Sequence, residues 1–197
     1  MTPPRFLSAF APLALAALCA CGGGGGSAPA PAPPATATGL AYTDPATGTY
    51  RLVKDPASSG SHLVLDLLGP SSGTAMGASI ALSADTTKVT WVDVPAGGTT
   101  ATLMKNGTQF DLGSGIPILR AKAAGNGLQA TVAQKHPTPA AALNGTLLQV
   151  ALDLKPGLGL PAGTALALSA DGTRCQVLDG AGTIAPITVA VGALTAQ

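Results

Sequence analysis

The chain has 197 residues, with ten Lys and Arg against nine acidic residues and a formal net charge of +1. That balance offers neither the basic excess of a nucleic-acid binder nor an acidic interaction tail. Every acid is Asp; the strong helix former Glu is absent, while Gly, Thr, Val, Leu and Ala dominate, which argues against a helical fold.

Residues 1–20 have the parts of an export signal. Met1 to Arg5 is a short basic start, and Phe6 to Leu18 an apolar centre rich in Ala and Leu. The centre is shorter than the roughly 20 apolar residues of a permanent transmembrane helix. It closes on Leu18-Cys19-Ala20-Cys21, which resembles the lipobox of bacterial lipoproteins. The resemblance implies cleavage after Ala20 and lipidation of Cys21, with a diacylglyceryl thioether and an acyl chain such as palmitate. Cys19 follows the bulky Leu18 and is expected to leave with the signal peptide. With Gly22 in place of an aspartate, the resemblance implies the outer membrane in a cell with two membranes. Stable attachment takes more than one lipid chain, each buried methylene contributing about 0.8 kcal/mol.

Residues 21–39 read as the lipidated cysteine and a disordered linker. Gly22 to Gly26 is a flexible tether, and the Pro-Ala run Ala28 to Thr38 favours extended polyproline II. Removing Arg5 with the signal leaves nine cations against nine acids. Cys175 is then the lone cysteine apart from Cys21, so no internal disulfide forms, and it reads as a small buried hydrophobe.

Residues 40–197 are the size of one domain and carry a period-two apolar pattern in short runs. Leu63, Leu65 and Leu67 share a face opposite Val64 and Asp66. Ala78, Ile80 and Leu82 share another. Val89 and Trp91 oppose Thr90, Val92 and Val94. Leu128, Ala130 and Val132 alternate with Gln129, Thr131 and Ala133. Leu148, Val150, Leu152 and Leu154 alternate with Gln149, Ala151 and Asp153. Leu166 and Leu168 continue the pattern, and Ile187, Val189 and Val191 close it. Asn106-Gly107, Asn126-Gly127, Asn144-Gly145, Asp171-Gly172 and Asp179-Gly180 offer positive φ for tight turns. Ala121 to Ala124 reads as one helical turn stopped by Gly125. Many short strands with regular turns predict an all-β antiparallel sandwich or barrel.

Gly77 to Asp85 followed by Lys88 to Val94, then Gly145 to Leu154, then Pro161-Ala162-Gly163-Thr164-Ala165-Leu166-Ala167-Leu168 and a final strand, resembles the cohesin-type sandwich, a jelly-roll relative of some carbohydrate-binding modules. The resemblance implies a jelly-roll β-sandwich. The early strand lacks the aromatic residues usual there, and no binding residues are transferred.

No catalytic set stands out. His136 precedes Pro137 in a Pro- and Ala-rich loop, and His62 follows Ser58, Ser59 and Ser61; both read as solvated and non-catalytic. Gly113-Ser114-Gly115 lacks the frame of a nucleophile elbow. Asp66, Asp85, Asp93, Asp111, Asp153, Asp171 and Asp179 are scattered, and turn chemistry and solubility explain them; an acid pair would need two of them to converge in space. Zinc spacing, an EF-hand loop and a phosphate cradle are all absent, so no metal or cofactor is expected, although loop Asp and carbonyls leave a calcium site open. Asn106 and Asn144 sit in glycosylation sequons but read as turns. Tyr42, Tyr50, Trp91 and Phe110 are the aromatics available for a sugar platform, and Trp91 reads as core.

The reading is a non-catalytic, lipid-anchored envelope protein whose sandwich binds or scaffolds another protein. A polysaccharide-binding module and a hydrolase with an Asp-based site are the alternatives. In the membrane fraction, mass spectrometry is expected to find a mature chain beginning at acylated Cys21, and Cys21→Ser is expected to abolish that species. An unmodified soluble wild-type chain would contradict the anchor.

Overall fold

Alternating runs become strands throughout the computed structural model, which describes residues 34–94 and 99–197. Cys21, the signal peptide and most of the linker lie outside the described residues. The strands in chain order are β1 (Leu40–Thr43), β2 (Tyr50–Lys54), β3 (His62–Leu68), β4 (Thr74–Ala84), β5 (Val89–Val92), β6 (Thr100–Ala101), β7 (Met104–Asn106), β8 (Ile118–Ala124) and β9 (Gly127–Ala133). They continue with β10 (Ala141–Ala142), β11 (Thr146–Leu154), β12 (Ala165–Leu166), β13 (Leu168–Ala170), β14 (Gln176–Asp179), β15 (Ile184–Pro186), β16 (Val189–Ala190) and β17 (Ala193–Ala196). There is no helix among the described residues.

Two sheets form the layers of the sandwich. The first has the order β15-β14-β4-β9-β8, with β10 and β13 also paired to β4. The second has the order β16-β2-β3-β11-β7-β6, with β5 also paired to β11. A small sheet, β1-β17-β12, completes the fold. All pairings are antiparallel except β16 with β2.

The apolar face of each strand meets the other sheet, as the alternation predicts. Leu63, Leu65 and Leu67 of β3, Leu148, Val150 and Leu152 of β11, Ala78, Ile80 and Leu82 of β4, and Leu128, Ala130 and Val132 of β9 are all buried in one cluster. Trp91 joins them, and its Nε1 donates to the Asn126 carbonyl at 3.4 Å. The small sheet is tied to β2 by Tyr42, whose hydroxyl donates to the Leu52 carbonyl (2.8 Å) and accepts from the Gly192 amide (2.7 Å).

Each long central strand is flanked along one edge by a strand in two pieces. β13 and β14 pair end to end with the same edge of β4, and Asp171 to Cys175 detours between them. Within the detour the Ala81 amide loses its ladder carbonyl and donates to Cys175 Sγ at 3.4 Å. Cys175 is buried, as expected, and burial pushes its thiol pKa up. β5 and β7 likewise share an edge of β11.

Four expectations need correction. Ala121 to Ala124 belongs to β8, because Ile118 to Ala124 pairs residue for residue with β9. The turn joining β8 and β9 is Gly125-Asn126, with Ala124 opposite Gly127 and φ of 57° at Gly125, the glycine-first pattern of a type II′ turn. None of the five glycines expected at positive φ adopts it. Gly107 is needed for another reason: a Cβ there would overlap the Thr146 carbonyl. Leu166 and Leu168 do not share a strand. β12 pairs with β17 and β13 with β4, so the chain changes sheets at Ala167. Finally, residues 35–39, placed with the linker, are bonded to the body: Ala37 N donates to the Leu160 carbonyl, and Thr38 N and Gly39 N to that of Gln197, each at 2.7 Å.

Leu152 is wholly buried between the sheets. Leu152→Ala is expected to lower the unfolding free energy by about 2–5 kcal/mol, read by urea denaturation with Trp91 fluorescence as the signal. A loss below about 1 kcal/mol would contradict this packing.

Candidate functional site: two outer faces of the sandwich

The outward residues of the second sheet form a largely polar surface that contains a bonded cluster. Register places Val53, Asp66, Gln149 and Lys105 in one row across β2, β3, β11 and β7. Gln149 Nε2 donates to Asp66 Oδ1 at 2.7 Å and to Asp55 Oδ2 at 2.8 Å. Asp55 Oδ1 also accepts from the Ala57 amide. Partial burial raises the Asp66 pKa; the Gln149 hydrogen bond opposes that shift, and the neighbouring Asp55 charge adds to it. Two carboxylates do converge, as an Asp-based hydrolase would require. Both line one depression of about 360 Å³ with Lys105, and both accept from the same Gln149 amide instead of standing free as acid and nucleophile. Asp55 was not singled out from the sequence; its meeting with Asp66 and Gln149 depends on long-range register.

Neighbouring rows on this face are also occupied. Val64, Val94 and Ala151 are buried together with Val92 packed on them, a second apolar cluster outside the main core. His62, expected to be solvated, lies instead at the start of β3, with Nδ1 2.6 Å from Asp153 Oδ1 and a buried Nε2 that has no partner. The cross-strand register of His62 and Asp153 produces this pair. Ser58 Oγ is engaged with the backbone of Val64, donating to its carbonyl at 3.0 Å and accepting from its amide at 2.9 Å. His136 is exposed, as expected.

The scattered aspartates mostly hold turns, as turn chemistry predicts. Asp55, Asp85, Asp111, Asp171 and Asp179 each accept from the backbone amide two residues on. Lys88 and Thr87 hold the Asp85 pKa down to about 2. Tyr42, Tyr50, Trp91 and Phe110 are all buried, so none of them offers an exposed ring for sugar stacking. No group of three or more His, Cys or acidic residues is placed to hold a metal among the described residues.

The outer face of the first sheet is different. Its middle strand, β4, turns Gly77, Ser79, Ala81 and Ser83 outward, leaving a floor of small residues. Ser79 Oγ and Thr131 Oγ1 bond across the β4–β9 pair at 2.8 Å. Register builds an apolar row across five strands: Ile184, Leu178, Gly77, Ala133 and Ile118. Ile184 is 61% exposed and Ile118 47%. Further along β4 the face becomes basic, with Arg120 and Lys122 on β8 and Arg174 in the detour, where Arg174 Nη2 donates to Gln129 Oε1 at 2.8 Å. β8 escaped the sequence reading because its inward residues are mostly alanine. The alternation of Arg120 and Lys122 with Leu119, Ala121 and Ala123 was the available signal.

The raised Asp66 pKa has a definite stability consequence. In the folded state Asp66 holds its proton above the ordinary carboxylate value of 3.8, so its contribution to stability declines as pH rises from there toward neutrality. Asp66→Asn keeps an acceptor for Gln149 and removes the charge. It is expected to raise the melting temperature at pH 7 and to flatten the decline above pH 3.8 expected of wild type. A lower melting temperature at pH 7 would contradict the assignment.

No family model matches the chain, and no curated protein matches it. Solved structures do. CaCohA2 of Clostridium acetobutylicum, in a complex, aligns with TM-score 0.53 at 14% identity, over 77% of this chain and 100% of that one. The sixth cohesin of scaffoldin B from Acetivibrio cellulolyticus aligns with TM-score 0.50 at 14% identity, over 75% and 97%. A type II cohesin domain from the cellulosome of the same organism aligns with TM-score 0.50 at 17% identity, over 75% and 94%. The described residues therefore fold as a β-sandwich of the cohesin kind.

Proposed function

We propose that the chain is a non-catalytic protein-binding module of the cell envelope, held to a membrane by lipid on Cys21 and binding its partner through the outer face of the first sheet. One observation carries the choice of face. Of the four exposed large hydrophobic residues among the described ones, Ile118 and Ile184 lie on the apolar row and Ile116 just before β8, while Leu158 lies elsewhere. We take these isoleucines, at either end of the row, as the apolar contacts of an interaction site. The second sheet carries the bonded Asp55–Gln149–Asp66 cluster and the His62–Asp153 pair, and none of the exposed large hydrophobic residues among the described ones lies on its strands.

The solved cohesin of scaffoldin B is in complex with a dockerin, which supports a protein as the partner class. The polysaccharide alternative is weakened by the burial of all four aromatics, and the hydrolase alternative by the engaged carboxylates. The Pro- and Gly-rich spacer supports display of the domain away from the membrane surface.

A photo-cross-linking amino acid placed at Ile184 or Ile118 in living cells is expected to give the same-sized adduct from both positions and none from Lys54, away from this face. Ile184→Asp is expected to remove the adduct formed from position 118. Adducts from Lys54 alone, or from neither isoleucine, would overturn the choice of face.

A further inference from the structure

The outward residues of β4 form the floor of a groove. Its walls are Leu178, Gln176 and Ile184 on one side and Thr131, Gln129 and β8 on the other. The two ends of the groove differ in chemistry. At the Gly77 end a depression of about 170 Å³ is lined by Ala133, Val177, Leu178 and Ile184. At the Ser83 end one of about 480 Å³ is lined by Lys122, Asn126, Gln129, Asp171 and Arg174.

The charge at the second end is unbalanced. Arg120, Lys122 and Arg174 make no ion pair among the described residues. The one acid there, Asp171, directs Oδ1 into its own turn, where it accepts from the Thr173 amide (3.0 Å) and hydroxyl (2.7 Å). A second copy of this face is a poor occupant, because it would oppose cations to cations or cations to isoleucines.

We infer that the groove takes a protein element lying lengthwise along β4, with apolar side chains over Gly77 and carboxylates at Lys122 and Arg174. The inference rests on the reading of this face as a protein-binding surface and adds the chemistry and polarity of the partner. Six residues separate Gly77 from Ser83, about 20 Å at roughly 3.3 Å per strand residue. On a helical partner that span is about 13 residues at 1.5 Å each. Apolar burial supplies affinity at one end, while charge complementarity sets direction and rejects the reversed orientation.

The test is selection from a phage-displayed library of random 20-residue peptides against the full lipidated chain in detergent. Three targets are used: wild type, Ile184→Asp, and the charge reversal Lys122→Glu with Arg174→Glu. All substituted positions are exposed, and Trp91 fluorescence checks that each variant is folded. Wild type is expected to enrich peptides with Asp or Glu near one end and Leu, Ile or Met near the other. Those peptides are expected to bind the charge-reversal protein about ten-fold more weakly, and that protein is expected to select Lys or Arg in place of the acids. Enrichment that depends on Ile184 but is indifferent to charge reversal would overturn the acidic end and leave the face intact. No enrichment, or enrichment unaffected by Ile184→Asp, would overturn the face itself.

Discussion

The register of β4 is the constraint on which the rest of the molecule depends. Its eleven residues pair along both edges, with β9 and β10 on one and β13 and β14 on the other. Inward it contributes Ala78, Ile80, Leu82 and Ala84 to the core; outward it offers only Gly77, Ser79, Ala81 and Ser83. Because side chains alternate with period two, a slip of one residue would turn the serines toward the other sheet and turn Ile80 and Leu82 to the outer face. Core packing and the shape of the outer face are thus set by the same pairing.

The interruptions in the flanking strands follow from the same economy. β4 and β11 are long, and along one edge of each the flanking strand is in short pieces joined by a detour. A detour removes ladder partners, and backbone groups left buried without partners are costly. Cys175 Sγ supplies one substitute, for the Ala81 amide. Asp93 acts similarly on the other sheet, accepting from the amide of Leu103, a non-glycine residue at φ of 72°. The first detour also brings Arg174 onto the open face, so a structural irregularity contributes to the surface available for recognition.

Much of this was legible in the amino-acid pattern. His62 to Leu68 and Leu148 to Leu154 lie between a packed face and an outer face, so their period of two survives and reads directly. β8 was not legible as a strand, because alanine fills its inner positions and alanine-rich runs suit a helix as well. The switch of sheets at Ala167 was hidden because Leu166 and Leu168 keep the alternation while their pairing partners change. The Asp55–Gln149–Asp66 cluster and the His62–Asp153 pair join residues far apart in sequence, and no local pattern reports a register between distant strands. The outer faces were harder still: an isoleucine facing water and one facing the core look alike until the strand has neighbours.

The two faces therefore differ in kind. One ties Asp55, Asp66 and Gln149 together and buries Val64 among its outward residues; the other exposes Ile118 and Ile184 beside a floor of small residues. The most direct test is hydroxyl-radical footprinting of the protein in intact cells against the purified chain. Ile118, Leu178 and Ile184 should be protected in cells, while Leu158, 42% exposed on a loop away from this face, should be labelled equally in both. Equal labelling of the isoleucines in both settings, or protection of Leu158 alone, would contradict the account.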